Sequence, residues 1–283
     1  MKHFAVIGYP IGHSLSPLMH TTAFHILGLD HQYESIEVSP DALKEKVDFF
    51  RRNDWGGFNV TTPHKETIIP FIDEIVPEAG AIGSVNTVVN DRGRFVGYNT
   101  DIIGIERSLH PHRDAINGNA CLMLGAGGAA RSVAHVLAHK FKPKEITLWT
   151  LFPEQAQALV KSLDTNTVPF HVAEYSSEAL ESALRSCTLV VNATTVGMYP
   201  KVLESPVHDQ RLLSPRHVVF DLVYRPLKTR LLSQAEDSGA TAIGGLTMFV
   251  HQGAAAFRLW LGQEMPIDRI RSILEEKLNA DIK

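Results

Sequence analysis

Several polar residues in the N-terminal third of the chain follow apolar, strand-like segments, and their types suit the binding of a small acid. Ser14 and Ser16 lie just before a helix that is expected to begin at Pro17. Two hydroxyl donors beside a helix N-terminus suit a carboxylate, because the helix dipole also favours negative charge there. Ser16 is equally the natural N-cap of this helix, whereas Ser14 has no such structural role.

The next such segments carry amide, ammonium and carboxylate groups. Asn59, Thr61 and Lys65 lie in the next loop after an apolar strand, although a lone lysine at a helix start is more often simply solvated. Asn86 is expected inside a β-branched strand, where an asparagine is poorly placed, so its amide either binds a ligand or is a satisfied core amide. Asp101 is either part of the same site or only the N-cap of a helix over 102–109. Ligands collect at the carboxyl ends of strands in open α/β sheets, so these residues can converge.

A glycine-rich turn near the middle of the chain indicates a dinucleotide site. An apolar strand over 120–124 leads into Gly125, Gly127 and Gly128, and an amphipathic helix over 132–140 follows. The glycines permit a tight turn, Ala130 keeps the helix close to the strand, and the N–H groups at the helix start can face a pyrophosphate. A lone glycine cluster is weak evidence, but the strand before it and the helix after it support this interpretation.

The elements that must position these residues alternate between strand and helix. Strands are predicted at 2–7, 32–38 and 57–60, helices at 17–27 and 41–53, and a hairpin joins two short strands before Asp101. After the glycine turn, strands at 145–149, 168–172 and 188–192 alternate with helices at 153–163 and 177–185. A helix at 228–238, a long apolar helix that begins with the segment 244–253 and ends near 261, and a helix at 267–279 complete the chain.

This order predicts an α/β fold with two lobes. The N-terminal lobe, 1–104, is the candidate substrate domain, and 105–238 is a Rossmann-like dinucleotide-binding domain. The C-terminal helices in 239–283 are expected to pack back on the first lobe.

Composition argues against several classes of protein. The 283 residues carry a net charge of −4 without a basic cluster, so neither a nucleic-acid nor an anionic membrane surface is expected. Cys121 and Cys187 lie in apolar runs and suit buried thiols in a reducing compartment rather than a catalytic or disulfide role. The fourteen histidines show no metal-ligand spacing. With no leader or membrane-spanning run apparent, a cytoplasmic protein that binds small molecules is expected.

Four motifs of the N-terminal third together resemble the shikimate dehydrogenase family in order and spacing. They are GYPIGHSLSP at 8–17, NVTTPHK at 59–65, GSVNT at 83–87 and GYNTD at 97–101. NATTVGM at 192–198, DLVYRP at 221–226 and GGLTMFVHQG at 244–253 extend the resemblance over nearly the entire chain. It implies NADPH-linked reduction of 3-dehydroshikimate to shikimate in the shikimate pathway, which serves chorismate and aromatic amino-acid biosynthesis.

The resemblance also implies the roles of individual residues. Lys65 and Asp101 would form the catalytic pair, which agrees with ketone chemistry, because an ammonium stabilises the charge that develops on the carbonyl oxygen and can deliver the proton. The implied substrate-binding residues are Ser14, Ser16, Thr61, Asn86, Asp101, Tyr224 and Gln252. Taken locally, Tyr224 is an ordinary turn aromatic and Met248 is a core residue. The implied cofactor-binding residues are Gly125, Ala126, Gly127, Gly128, Ala129, Thr150, Thr194, Leu222, Gly245 and Met248.

One segment departs from the family pattern. After the second Rossmann strand, where arginines are common in the family, the chain has Thr150, Leu151 and Phe152, and then Gln155. A 2′-phosphate requires a guanidinium or several donors, whereas a preference for NAD requires an acidic residue on the ribose, and neither is present here. NADP is the cofactor that the resemblance implies, NAD is the alternative, and Arg131 or Lys144 is a candidate source of positive charge.

Three other interpretations remain at this point. The first is a quinate/shikimate dehydrogenase that uses NAD, although the paired serines resemble the shikimate-selective form. The second is a catalytically silent protein that binds shikimate, against which the retained Lys65 and Asp101 argue. The third is a Rossmann enzyme acting on another small acid. The protein is expected to be a monomer or a homodimer.

Overall fold

The structure is a computed structural model that describes residues 1–163 and 167–280. The chain forms two compact units, one comprising Met1–Ile103 and Val250–Leu274, the other comprising Gly104–Phe249 and the residues from Glu275 onwards. Each unit contains its own sheet, and the predicted α/β class with a Rossmann-like second domain is confirmed. The predicted C-terminal segment 239–283 is divided between the units, since residues up to Phe249 belong to the second.

The first unit is built on a mixed sheet of strand order β2-β1-β3-β5-β6-β4. The strands β1, β2 and β3 are parallel, whereas β5 is antiparallel to β3 and to β6. The elements up to the second unit are β1 (Lys2–Gly8), α1 (Ser16–Ile26), β2 (His31–Glu37), α2 (Leu43–Arg52), β3 (Gly57–Val60), α3 (His64–Thr67), β4 (Glu74–Ile75), α4 (Pro77–Ile82), β5 (Thr87–Asp91), β6 (Arg94–Tyr98) and α5 (Asp101–Leu109).

The central strand β3 is buried along its whole length, and the carboxyl ends of β1 and β3 lead into the loops that carry the predicted substrate residues. The hydrophobic core on one face joins these strands to α2, with Val47 and Phe50 packed against Phe58 and Phe95. The amphipathic pattern of α2 explains this contact, because its apolar residues recur at helical spacing. A rigid sheet therefore supports the loops.

The second unit contains a parallel sheet of order β12-β11-β10-β7-β8-β9. Its order reverses beside β7, and the glycine turn follows that strand; in such sheets this is the position where dinucleotides bind. The remaining elements are α6 (Arg113–Ile116), β7 (Ala120–Leu124), α7 (Gly128–Val136), β8 (Glu145–Trp149), α8 (Pro153–Ser162), β9 (Phe170–Ala173), α9 (Ser177–Ser186), β10 (Cys187–Asn192), β11 (Val218–Asp221), α10 (Arg230–Asp237), β12 (Thr241–Gly244), α11 (Gly245–Leu261) and α12 (Ile267–Ala280).

Several boundaries differ from those predicted. The helix after the glycine turn begins at Gly128 rather than 132, and its predicted end is a π-helical turn over Leu137–Phe141. The earlier start was not predicted because Gly127 and Gly128 stand there and glycine is a poor helix former. The short elements β4, α4, α6 and β12 were not predicted. Strand β9 begins at Phe170, two residues later than expected.

No helix in the described residues is long and apolar enough to cross a membrane. Cys121 and Cys187 are both free and buried in neighbouring strands. Burial raises the pKa of Cys121 and raises that of Cys187 to about 12, so neither is a thiolate at neutral pH.

Candidate functional site

The first unit brings Lys65, Asn86 and Asp101 together. The Lys65 ammonium donates to Asp101 Oδ2 at 2.6 Å, and Asn86 Nδ2 donates to Asp101 Oδ1 at 2.9 Å. The side chain of Lys65 is 21% exposed and that of Asp101 is 8% exposed. This ion pair is therefore screened less than a surface pair and keeps one face towards solvent.

Asp101 is the first residue of α5, but its carboxylate does not act as a local helix cap. The side chain of Asn99 accepts the Asp101 N–H at 3.1 Å instead. The carboxylate oxygens are occupied by Lys65 and Asn86, which come from two other segments of the chain. The cluster is thus assembled by tertiary structure rather than by the helix start.

The Asn86 amide has only one orientation that satisfies its neighbours. Its Oδ1 accepts the Thr100 N–H at 2.7 Å and the hydroxyl groups of Thr87 and Thr100 at 3.0 and 3.1 Å. The NH2 group must therefore face Asp101. Asn86 was predicted inside a strand, but β5 begins at Thr87, so this placement was wrong and Asn86 ends the loop before the strand. Gln252 lies beside the same group, with its Oε1 3.5 Å from the Thr100 hydroxyl.

Of the buried polar residues behind this cluster, Asn59 was predicted to converge with the substrate loops, whereas Tyr33 and Thr87 were not predicted as part of the site. Asn59 Nδ2 donates to the Thr87 hydroxyl at 3.0 Å and to the Asn86 carbonyl at 3.2 Å. Tyr33 donates to Asn59 Oδ1 at 2.7 Å. Burial raises the pKa of Tyr33 well above its usual value, against a smaller lowering by a hydrogen bond with Ser16. Polar residues at buried strand positions were the available sequence signal for this support.

The serine pair has a different local structure from the one expected. Helix α1 begins at Ser16, no side chain caps it, and Ser14 Oγ accepts the Ser16 N–H at 3.2 Å. The prediction that Ser16 is the N-cap and Ser14 has no structural role is wrong, because Ser14 stabilises the turn. The Ser14 hydroxyl still has its proton to donate, since it acts as acceptor in this bond. Thr61 lies in the loop between β3 and α3, where its N–H donates to the Ile7 carbonyl.

The glycine turn of the second unit fits a dinucleotide. Gly125 follows β7 with a φ of 95°, in the left-handed region that favours glycine. A Cβ atom at Gly127 or Gly128 would meet nothing within 4 Å, so the space before the first turn of α7 is open. The N–H groups of a first helical turn have no intrahelical partner and can bind a pyrophosphate. Ala126 and Ala129 complete this turn.

Other predicted cofactor residues lie at the same edge of the sheet. A Cβ atom on Gly125 would lie 2.7 Å from Thr194 Cγ2, so the loop after β10 packs against the glycine turn. Gly245 allows a close approach to the Leu222 carbonyl, which any larger residue would overlap. Met248 is buried in the first turn of α11. Tyr224 belongs to this unit, and its ring stacks on Phe249 with a centroid distance of 4.7 Å.

The loop after β8, residues 150–152, carries no charged side chain, whereas Glu154 lies in the first turn of α8. Thr150 is buried, and its hydroxyl accepts the Phe152 N–H at 3.2 Å, whereas Leu151 is 61% exposed. Arg131 donates to the Ser162 hydroxyl at 2.9 Å. Lys144 precedes β8 and therefore lies at the amino end of the strand, about 20 Å of backbone from Thr150. The suggestion that Lys144 supplies charge to this edge is wrong.

Three family models match segments of the chain. Residues 6–88 match the shikimate dehydrogenase substrate binding domain, and residues 245–275 match the shikimate 5′-dehydrogenase C-terminal domain. Residues 121–205 match the saccharopine dehydrogenase NADP binding domain.

Individual proteins match over nearly the whole chain. A curated shikimate dehydrogenase (NADP(+)) from Alkaliphilus metalliredigens is 43% identical over 274 residues, which is 96% of each chain. A shikimate 5-dehydrogenase from Listeria monocytogenes, solved with shikimate and NAD, is 38% identical with a TM-score of 0.88, covering 97% of this chain and 96% of that one. The Thermus thermophilus enzyme, solved with NADP(H) and shikimate, is 37% identical with a TM-score of 0.83, covering 96% and 98%.

Proposed function

The chain belongs to the shikimate dehydrogenase family, and we propose that it catalyses the reversible NADP(H)-linked reduction of 3-dehydroshikimate to shikimate, a step of the shikimate pathway. The observation that carries this proposal is the ion pair between Lys65 and Asp101, held in place by Asn86. A lysine in contact with a carboxylate, both largely shielded from water, can act as the proton-transfer pair that ketone reduction needs.

In this mechanism the bound nicotinamide supplies the hydride to the ring ketone. Lys65 lies beside the ketone oxygen, where its ammonium offsets the negative charge that develops, and it delivers the proton that converts the oxygen to a hydroxyl. Asp101 orients the ammonium and accepts a hydrogen bond from a ring hydroxyl. Asn86, whose amide is fixed by three donors, keeps the carboxylate in place.

The remaining polar residues bind and orient the substrate. Ser14 and Ser16 hold its carboxylate, and Thr61 and Gln252 contact ring hydroxyls together with Asn86 and Asp101. Tyr224 is the further substrate-binding residue that the resemblance implies. The Ser14 hydroxyl supports this role because it accepts one backbone N–H and so keeps its proton available for donation.

The direct test is an assay of shikimate oxidation with NADP and then with NAD, in which the absorbance of the reduced nicotinamide is measured. We expect turnover with NADP. Turnover of quinate with NAD at a comparable rate would instead favour the quinate/shikimate alternative, and binding of shikimate without turnover by either cofactor would favour a silent homologue. The protein's expected location remains the cytoplasm, as a monomer or homodimer.

Use of NAD is the second candidate because the edge after β8 lacks a cation. Leu151 and Phe152 are uncharged, and the Arg131 guanidinium is hydrogen-bonded to Ser162. A 2′-phosphate gains most from a bidentate guanidinium. We therefore expect weaker discrimination between NADP and NAD than an arginine at this edge would give.

The Ser14→Ala variant is expected to raise the Michaelis constant for shikimate about tenfold, with the catalytic constant little changed. A hydrogen bond to the carboxylate is made equally in the ground and transition states, and its loss weakens binding by about 1.5 kcal/mol. Steady-state kinetics measures both constants. Ser39→Ala, a serine at the start of a turn after β2, is the control. An unchanged Michaelis constant would place the carboxylate elsewhere.

A further inference from the structure

The second unit buries a carboxylate that the proposed mechanism does not use. Asp221 is the last residue of β11, is 0% exposed, and lies in register with Asn192, the last residue of β10. Both residues lie at the carboxyl edge of the sheet, beside β7 and the glycine turn. A buried charge without a partner is costly, so its contacts are informative.

All three partners of Asp221 act as hydrogen-bond donors. Asn192 Nδ2 donates to Oδ1 at 2.9 Å, as does the Val223 N–H at 3.0 Å. The Thr229 hydroxyl donates to Oδ2 at 2.6 Å and also accepts the Leu232 N–H at 3.3 Å. The arrangement therefore fits the ionised carboxylate, which can accept all three bonds.

These contacts continue into the loop after β10. Asn192 Oδ1 accepts both the N–H and the hydroxyl of Thr194, at 3.1 and 2.6 Å, and the Thr194 hydroxyl accepts the Val196 N–H. The Asn192 oxygen is thereby fixed on Thr194, so its NH2 group must face Asp221. Because the Thr194 methyl packs against Gly125, a continuous chain of contacts joins Asp221 to the glycine turn.

Burial opposes the ionisation of the Asp221 carboxyl. Burial raises its pKa to about 6, although the bonds from Thr229, Val223 and Asn192 lower it, and no charged side chain of the described residues contributes to this shift. A carboxyl whose folded pKa exceeds its unfolded value stabilises the fold less as the pH rises between the two values. Its contacts therefore point to a role other than stability.

We propose that Asp221 is a positioning residue for the dinucleotide, whose carboxylate holds the loops after β10 and β11 through Asn192 and the Val223 N–H. This inference rests on the proposed function, because it assigns the two loops to cofactor binding. Thr194 then acts mainly through its place in the loop, since its hydroxyl proton is committed to Asn192.

The test is a cycle of three variants, with NADPH affinity measured by fluorescence titration at pH 8. Asn192→Asp places a second carboxylate against Asp221, and the dissociation constant should rise about 30-fold or more. Asp221→Asn should stay within about threefold of wild type, because its oxygen can accept from Asn192 and Val223 while its NH2 donates to Thr229. The double variant should recover to within about tenfold, since residues in contact are energetically coupled.

A pH series adds a signature that lost packing would not give. The defect of Asn192→Asp should lessen on acidification from pH 8 to 6, because two adjacent carboxylates can share one proton. The melting temperature of Asp221→Asn at pH 8 should equal or exceed that of wild type. Shikimate affinity should change less than NADPH affinity, because the proposed substrate-binding residues other than Tyr224 lie in the first unit.

The outcomes distinguish failure of the proposed function from failure of the positioning role of Asp221. Wild type that binds neither NADPH nor NADH would refute the proposed function itself. Wild-type NADPH affinity in Asn192→Asp, or no recovery in the double variant, would overturn the positioning role alone. If Asn192→Asp fails to fold, Thr194→Val breaks the same chain and should weaken NADPH binding about tenfold. Thr195→Val, the same change on the exposed neighbour, is its control, and equal affinities for the two would also overturn the proposal.

Discussion

The Lys65→Ala variant is expected to lose catalysis while still binding shikimate. The catalytic constant should fall about 10²- to 10⁴-fold, the usual range for a positioned acid or base, because the ammonium matters most once charge develops on the oxygen. Affinity for shikimate should stay within a few fold, since Asp101 remains hydrogen-bonded to Asn86. Steady-state kinetics and a binding titration measure the two effects separately.

Lys44→Ala provides the matched control, because Lys44 also pairs with an aspartate but lies on the surface of α2 with a 68% exposed side chain. Its activity should equal that of wild type, since exposed ion pairs contribute little. A Lys65→Ala variant that retained most of its rate would remove Lys65 from the catalytic pair. The proton would then have to come from another group or from water.

The Leu151→Arg variant is expected to bind NADP about 10- to 150-fold more tightly than wild type, with NAD affinity little altered. The new guanidinium adds a charge-assisted contact to the 2′-phosphate, on the order of 1.5–3 kcal/mol, and NAD lacks that phosphate. Leu151 already follows β8 and is largely exposed, so an arginine has room there. Titrations of both cofactors against both proteins measure the change.

Leu203→Arg controls for the added charge, since Leu203 is also an exposed leucine of the second unit. It should leave both affinities as they are. If wild type already prefers NADP several hundredfold and Leu151→Arg adds nothing, the phosphate must be held by other groups. Arg131 and Thr150 are then the first to examine, Lys144 being at the other end of β8.

Much of the architecture could be predicted from local sequence signals. The period of apolar residues gave most strands and helices of both units, and the glycine turn after β7 marked the second domain. Elements without such a period were missed, because the two-residue β4 and the four-residue α6 are too short to show one. The start of α7 was missed since its stabilisation comes from tertiary packing and not from the propensity of Gly128.

The residues of the candidate site could be predicted from the sequence, but the hydrogen bonds between them could not. Lys65 and Asp101 stand in recognisable motifs, 36 positions apart, and their contact depends on the sheet that joins α3 to α5. Asn59 was predicted to converge with the site, but its hydrogen bonds with Tyr33 and Thr87 escaped prediction because the three side chains come from three strands. A hydrogen-bond chain of that kind has no signature along the sequence, since each residue in it reads locally as an isolated buried polar group.

The first unit is formed by two separate segments of the chain, which affects the order in which the two units can fold during synthesis. The unit is completed by Val250–Leu274, from which the Trp260 indole N–H donates to the Val88 carbonyl and the Trp260 ring packs against Phe4. During synthesis, residues 104–249 leave the ribosome before that segment does. Domains generally fold as units once their residues are present. The second unit can therefore begin to fold before the last helices of the first unit, which carries Lys65, have been synthesised. A chain truncated before those helices would lose the catalytic unit first.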